Sequence, residues 1–150
     1  MGNYLKVNGV QTVTNAIKVK GKAIEEGVKM NIEKYGRLIQ AQAQQNVPKI
    51  ASTFEGGILI DGTPTQAGLS FIIEARSMGN TDVAAWYEFG TGKNYLQMAS
   101  SYTPEMKRIA QSYYRNGKGT IKAHPYLFPA YYRNRKEFLK AIKALVKKVV

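Results

Sequence analysis

The chain has no cysteine and one histidine among its 150 residues. That excludes a disulfide framework, thiolate metal sites and a cysteine nucleophile, and a lone imidazole cannot build a multi-histidine metal centre. No apolar run approaches the roughly 20 residues needed to cross a bilayer. The opening segment Met1-Gly2-Asn3-Tyr4-Leu5-Lys6 lacks a secretory apolar stretch. A soluble protein made in the cytoplasm, with no membrane partner, is expected. Acids are scarce too, at 10 against 22 Lys and Arg. Apolar residues make up 44%; long polar repeats are absent, which argues against wholesale disorder. A chain of this length can bury about 68–70% of its unfolded surface without staples, so residues 1–150 are read as a single domain.

The net charge of +12 is unevenly spread. Residues 1–50 carry +5, residues 51–105 carry −4, and residues 106–150 carry +11 with Glu137 as their one acid. A basic last third beside an acidic middle third suits contact with a polyanion, or head-to-tail contact between copies of the chain.

Residues 1–11 read as a flexible arm or edge strand, with Asn8-Gly9 as a turn signal. Between Thr12 and Gln45, Ile17, Ile24, Val28, Ile32, Tyr35, Ile39 and Ala43 recur at spacings of seven, four and three, the stripe of an amphipathic helix. Gly21, Gly27 and Gly36 weaken it and predict a break or bend, and Pro48 ends it. Ile58-Leu59-Ile60 before Asp61-Gly62 predicts a strand and a hairpin turn. Leu69, Phe71, Ile73 and Ala75 alternate with mixed residues and predict a second strand. Val83–Phe89 is read as a further strand, giving an antiparallel sheet of three to four strands. Thr103-Pro104-Glu105 opens a helix, with a capping hydroxyl, a proline in the first position and an acid in the first turn. A final helix follows His124–Pro129, with Leu127, Tyr131, Asn134, Phe138, Ile142, Leu145 and Val149 on one face and Lys and Arg opposite. The expected fold class is α+β: long N-terminal helix, small sheet, inserted helix and basic C-terminal helix.

Residues for catalysis are sparse. His124 reads as a partly buried histidine in a loop. Glu74 and Glu88, if on adjacent strands, would face each other as a carboxylate pair, the basis of a third reading as a hydrolase, but no nucleophile or metal ligand accompanies them. Gly90-Thr91-Gly92-Lys93 lacks the upstream glycine and downstream hydroxyl of a phosphate loop. Catalytic, cofactor and metal residues are therefore expected to be none, with no small-molecule substrate. Tyr113, Tyr114, Arg115, Lys118, Lys122, Tyr126, Tyr131, Tyr132, Arg133, Arg135 and Lys136 interleave rings and cations as nucleic-acid surfaces do. The helical stripe, however, assigns Tyr131 to packing. Arg133, Arg135, Lys136, Lys140, Lys143 and Lys147 are the candidate contacts to a polyanion or partner protein.

Two motifs carry a resemblance. Ala84-Ala85-Trp86-Tyr87-Glu88-Phe89-Gly90-Thr91-Gly92 resembles the EFGTG signature of small neck or tail-component proteins of long-tailed bacteriophages. Ala123-His124-Pro125-Tyr126-Leu127-Phe128-Pro129-Ala130 is similar to the signature that follows it there and leads into a C-terminal helix. Ala41–Pro48 resembles that family's helix end. The stretch Pro48–Gly57 departs from the family pattern. The separation of the two signatures is longer than expected, so residues 93–122 are read as an insertion with a helix that adds a surface.

The resemblance implies a non-enzymatic virion protein at the head–tail junction, made in the bacterial host cytoplasm: a tail-completion or tail-terminator component forming a ring, expected to be a hexamer. Its implied partners are copies of itself, the head connector, the tail-tube proteins and genome DNA passing through the channel. The alternative is a nucleic-acid-binding module using the basic C-terminal helix. Tyr87, Glu88, Phe89, Gly90, Thr91, Gly92, Pro125, Tyr126, Leu127, Phe128 and Pro129 are expected to be architectural. Residues 88–91 would make a strand-to-loop turn, and Tyr126, Leu127 and Phe128 would pin the last helix to the sheet.

Overall fold

A computed structural model describes residues 5–6, 21–48, 57–77, 82–95, 103–113 and 117–149. Ile17, segment 12–20 and most of the expected arm at 1–11 lie outside the described residues, as do Tyr114 and Arg115. The first helix, α1 (Lys22–Asn46), buries Ile24, Val28, Ile32, Ile39 and Ala43, the stripe set by its periodicity. It ends at Val47, just before Pro48, and runs unbroken through Gly27 and Gly36. The helix begins at Gly21, whose φ is 101°, and no break occurs at Gly27 or Gly36; Gly36 meets a packing need, since a Cβ there would run into the Phe71 ring. The close approach of helix to sheet offsets the loss of helix propensity.

Strands β2 (Ile58–Pro64) and β3 (Phe71–Ser77) form an antiparallel pair in register from Ile58 opposite Ser77 to Pro64 opposite Phe71. Ile58 and Ile60 on β2, and Phe71, Ile73 and Ala75 on β3, face the core, the period-two alternation of a half-buried sheet. Asp61-Gly62 is not the hairpin turn; both residues lie inside β2. The turn is at Thr65–Ser70, closed by the Thr65 N–H on the Ser70 carbonyl at 3.0 Å, with Gly68 at φ 65°. Gly62 serves close packing instead, since a Cβ there would meet Phe71 and Gln40. The two-residue strand β1 (Leu5–Lys6) pairs antiparallel with the other edge of β3, opposite Ala75 and Glu74.

The outer edge of β2 is closed by side chains of α1. Gln44 donates to the Ile58 carbonyl at 3.1 Å and accepts from the Ile60 N–H at 2.9 Å. Gln40 donates to the Ile60 carbonyl at 3.0 Å, and Arg37 to that of Gly62 at 3.0 Å. These groups at helical spacing stand where a neighbouring strand would otherwise pair.

The expected strand at Val83–Phe89 is a helix, α2 (Asp82–Phe89). From Val83 to Phe89 only Trp86 escapes full burial, so the segment has no polar face to reveal its period, and length alone does not separate a buried strand from a buried helix. Helix α3 (Pro104–Tyr113) begins as expected, with the Met106 N–H donating to Thr103 Oγ1 at 3.3 Å. The last helix, α4 (Leu127–Val149), packs along α1. Tyr35 and Phe138 meet edge to face at 5.7 Å, and Asn134 donates to Gln42 Oε1 at 2.8 Å. The fold is α+β, with α1 shared between the sheet and α4, and α2 bridging β3 and α3.

Candidate functional site

The two motifs, more than thirty residues apart, fold into one unit. Helix α2 stops at Gly90, whose N–H still reaches the Trp86 carbonyl at 2.7 Å, and the chain then turns at Gly90 (φ 76°) and Gly92 (φ 57°). Such values favour glycine, and the turn is helix-to-loop rather than strand-to-loop. The loop before α4 runs back along it. The Thr91 N–H donates to the Ile121 carbonyl at 2.9 Å, the Ile121 N–H to Thr91 Oγ1 at 2.9 Å, and the His124 N–H to the Tyr87 carbonyl at 2.7 Å. A Cβ on Gly92 would collide with the Gly119 carbonyl. The His124 side chain itself is exposed, not partly buried.

At the centre lies Glu88, fully buried. Its Oε2 accepts the Tyr126 N–H at 2.8 Å and the Leu127 N–H at 2.9 Å, and its Oε1 accepts the Phe128 N–H at 3.0 Å. A helix leaves its first four N–H groups without internal partners. Here Glu88 takes three, and the fourth position is Pro129, which has no N–H. The first turn of α4 is thus satisfied by one carboxylate from a distant helix, at the end where the helix dipole favours negative charge. Burial pushes Glu88 up to about 7, against the downward pull of the three N–H donors. Glu74, on β3, is not its neighbour across a pair of strands, so the carboxylate pair behind the hydrolase reading does not form.

Aromatic packing completes the lock. The Tyr126 hydroxyl donates to the Ala84 carbonyl at 2.7 Å, tying α4 to α2 rather than to the sheet. Phe89 packs against Phe128 at 5.6 Å and Tyr113 at 6.3 Å between centroids, so α3 joins the same cluster. Thr103 and Tyr132 share a hydroxyl hydrogen bond of 2.8 Å. Tyr87, Glu88, Phe89, Gly90, Gly92, Tyr126, Leu127 and Phe128 are buried; Thr91 and Pro125 are half-buried, and Pro129 is exposed. A recess of ≈ 360 Å³ opens beside the glycine turn, floored by Trp86, Tyr113 and Ile121 with Lys118 on its lining. It is apolar, and no described residue on its lining brings a carboxylate or imidazole, so those residues supply no carboxylate–imidazole acid–base pair. Among the described residues no group of three His, Cys, Asp or Glu side chains could hold a metal ion.

The six cationic candidates lie elsewhere. Arg133, Arg135, Lys136, Lys140, Lys143 and Lys147 are all exposed on α4. The Arg135 charge acts on the Tyr131 hydroxyl, and Lys140 pairs with Glu137 at 2.9 Å. Sequence reasoning missed the Gln40 and Gln44 contacts and the capping role of Glu88. A single acid inside an otherwise apolar run was the available signal, because a buried carboxylate requires several donors. No protein-family model, curated protein or solved structure matches the chain.

Proposed function

We propose that this chain is a structural virion protein of a long-tailed bacteriophage: a ring-forming tail-completion or tail-terminator component at the head–tail junction, without turnover. The observation that carries the reading is the lock around Glu88. The two stretches that resemble the phage family are the two halves of one buried joint, which suits residues that maintain architecture rather than act on a substrate. Copies of the chain, the head connector and the tail-tube proteins are the proposed partners, genome DNA passes through the channel, and the virion is the proposed location. Helix α3, packed on Phe89 through Tyr113, would be carried by the insertion at 93–122 and add a contact surface. Head-to-tail contact between copies is the arrangement that closes into a ring.

Native mass spectrometry over a range of protein concentrations, with negative-stain imaging of any oligomer, tests this. A closed ring of about six copies with a central channel is expected. A monomer at every concentration, with and without connector and tail-tube partners, overturns it.

A further inference from the structure

The outward face of α4 carries charge of one sign. At about 100° of rotation and 1.5 Å of rise per residue, Arg133, Lys136, Lys140, Lys143 and Lys147 fall within an arc of about 80° along roughly 21 Å of helix. The arc lies opposite the face that buries Leu127, Tyr131, Phe138 and Ile142. Its only acidic neighbour on α4 is Glu137, bound to Lys140. Arg135 falls outside the arc, where its charge acts on the Tyr131 hydroxyl.

A face that only needs to be wetted does not require this. Helix α1, of similar length, mixes signs and forms the i,i+4 pairs Glu25–Lys29 and Glu33–Arg37. Like charges three and four residues apart on α4 repel instead. Lys147 gains from the helix C-terminus, but the four cations before it do not. An acidic partner face within a second copy is not at hand among the described residues. Glu25, Glu33, Asp61 and Glu137 are each ion-paired within the chain, Glu88 is buried, and Glu26, Glu74, Asp82 and Glu105 sit on four different elements. A lipid surface would need apolar side chains beside the cations. Among the described residues the exposed large apolar side chains are Met30, Leu38 and Leu59, on α1 and β2.

We infer that this face of α4 is a binding surface for the phosphate backbone of double-stranded nucleic acid, contacted without base readout. The surface follows from helix geometry and charge and does not depend on ring formation, so a chain that stays monomeric keeps it. The test is fluorescence anisotropy of the full chain with a labelled mixed-sequence duplex of about 20 base pairs, titrated with salt. Four or five neutralised phosphates give a slope of log affinity on log salt near −4, a loss of about 10²- to 10³-fold between ~50 and ~200 mM. Lys136→Glu with Lys143→Glu flattens the slope and weakens binding at least about tenfold. Lys22→Glu with Lys34→Glu makes the same charge change on α1 and has a much smaller effect. The Gln versions of both pairs repeat the comparison should a Glu pair fail to fold. Equal losses from the two pairs, absence of binding at low salt, or displacement of the duplex by polyglutamate as readily as by unlabelled duplex would each overturn the assignment, the last in favour of an acidic protein.

Discussion

The two long helices lie side by side and share a core, yet they begin and face the solvent in opposite ways. Helix α1 starts at Gly21 with no side-chain cap, and its Ile24 N–H turns back to the Gly21 carbonyl at 3.2 Å. Helix α4 starts with three N–H groups on the buried Glu88 and a proline in the fourth position. Outward, α1 mixes acids with bases and lays Arg37, Gln40 and Gln44 against the edge of β2; α4 presents a row of cations with Glu137, paired to Lys140, as its one acid. One helix uses most of its polar side chains on the fold itself. The other has the N–H groups of its first turn held by a single remote residue, and its outer surface is left available for contact.

The sharpest way to break this contrast is Glu88→Ala. Three buried N–H groups lose their acceptor at once, each an unsatisfied donor worth about 1–3 kcal/mol, so a loss of about 4 kcal/mol or more is expected. A thermal melt should show a fall of roughly 10 °C or more for a chain of this size, whereas removing the Glu25 side chain in the first turn of α1 should shift the melt by less than a degree or two. Phe89→Ala and Leu127→Ala come next, at about 3–5 and about 2–5 kcal/mol, because both leave cavities in the cluster that joins α2, α3 and α4. Unchanged melts for both would remove these residues from the joint.

The third effect is a pH dependence. Glu88 in the folded state sits at about 7, above its ordinary 4.5, so the native chain holds that proton at pH values where the unfolded chain has released it. The resulting stabilisation is complete below about pH 4.5 and is lost as pH rises to about 7, on the order of 3 kcal/mol in all. Denaturant titrations between pH 4.5 and 7.5 should show this decline, and Glu88→Gln should flatten it. A stability that instead rises with pH over this window would mean that the three N–H donors and the helix dipole outweigh burial. The smallest effect is expected from Gln44→Ala, about 1–2 kcal/mol, as two groups on the edge of β2 return to water.

How far the fold could be read ahead depended on whether each element shows a polar side. Helices α1 and α4 and strand β3 each display one, and their periods are plain from Ile24–Ala43, Leu127–Ile142 and Phe71–Ala75. Helix α3 declared its start through Thr103 and Pro104. Helix α2 hides its period because nearly all of it is buried, and its sequence therefore reads as a strand. Asp61-Gly62 misled in another way: Gly62 is required by the Phe71 ring packed on it, a long-range demand that a local turn rule does not register. At the site, the residues of both motifs were visible, but their joining was not. The 38 to 40 residues between Glu88 and its three partners leave no local trace of the bond.

The row formed by Arg37, Gln40 and Gln44 has a consequence for crowded conditions. A free sheet edge recruits strands from other molecules and so seeds aggregates. Here side chains of α1 imitate a strand's donors and acceptors without supplying a strand, and the sheet is sealed on that side. Among the described residues the other side of the sheet is that of β3, where Leu5 and Lys6 pair. At high protein concentration such a seal directs encounters between copies toward side-chain surfaces and away from backbone fusion.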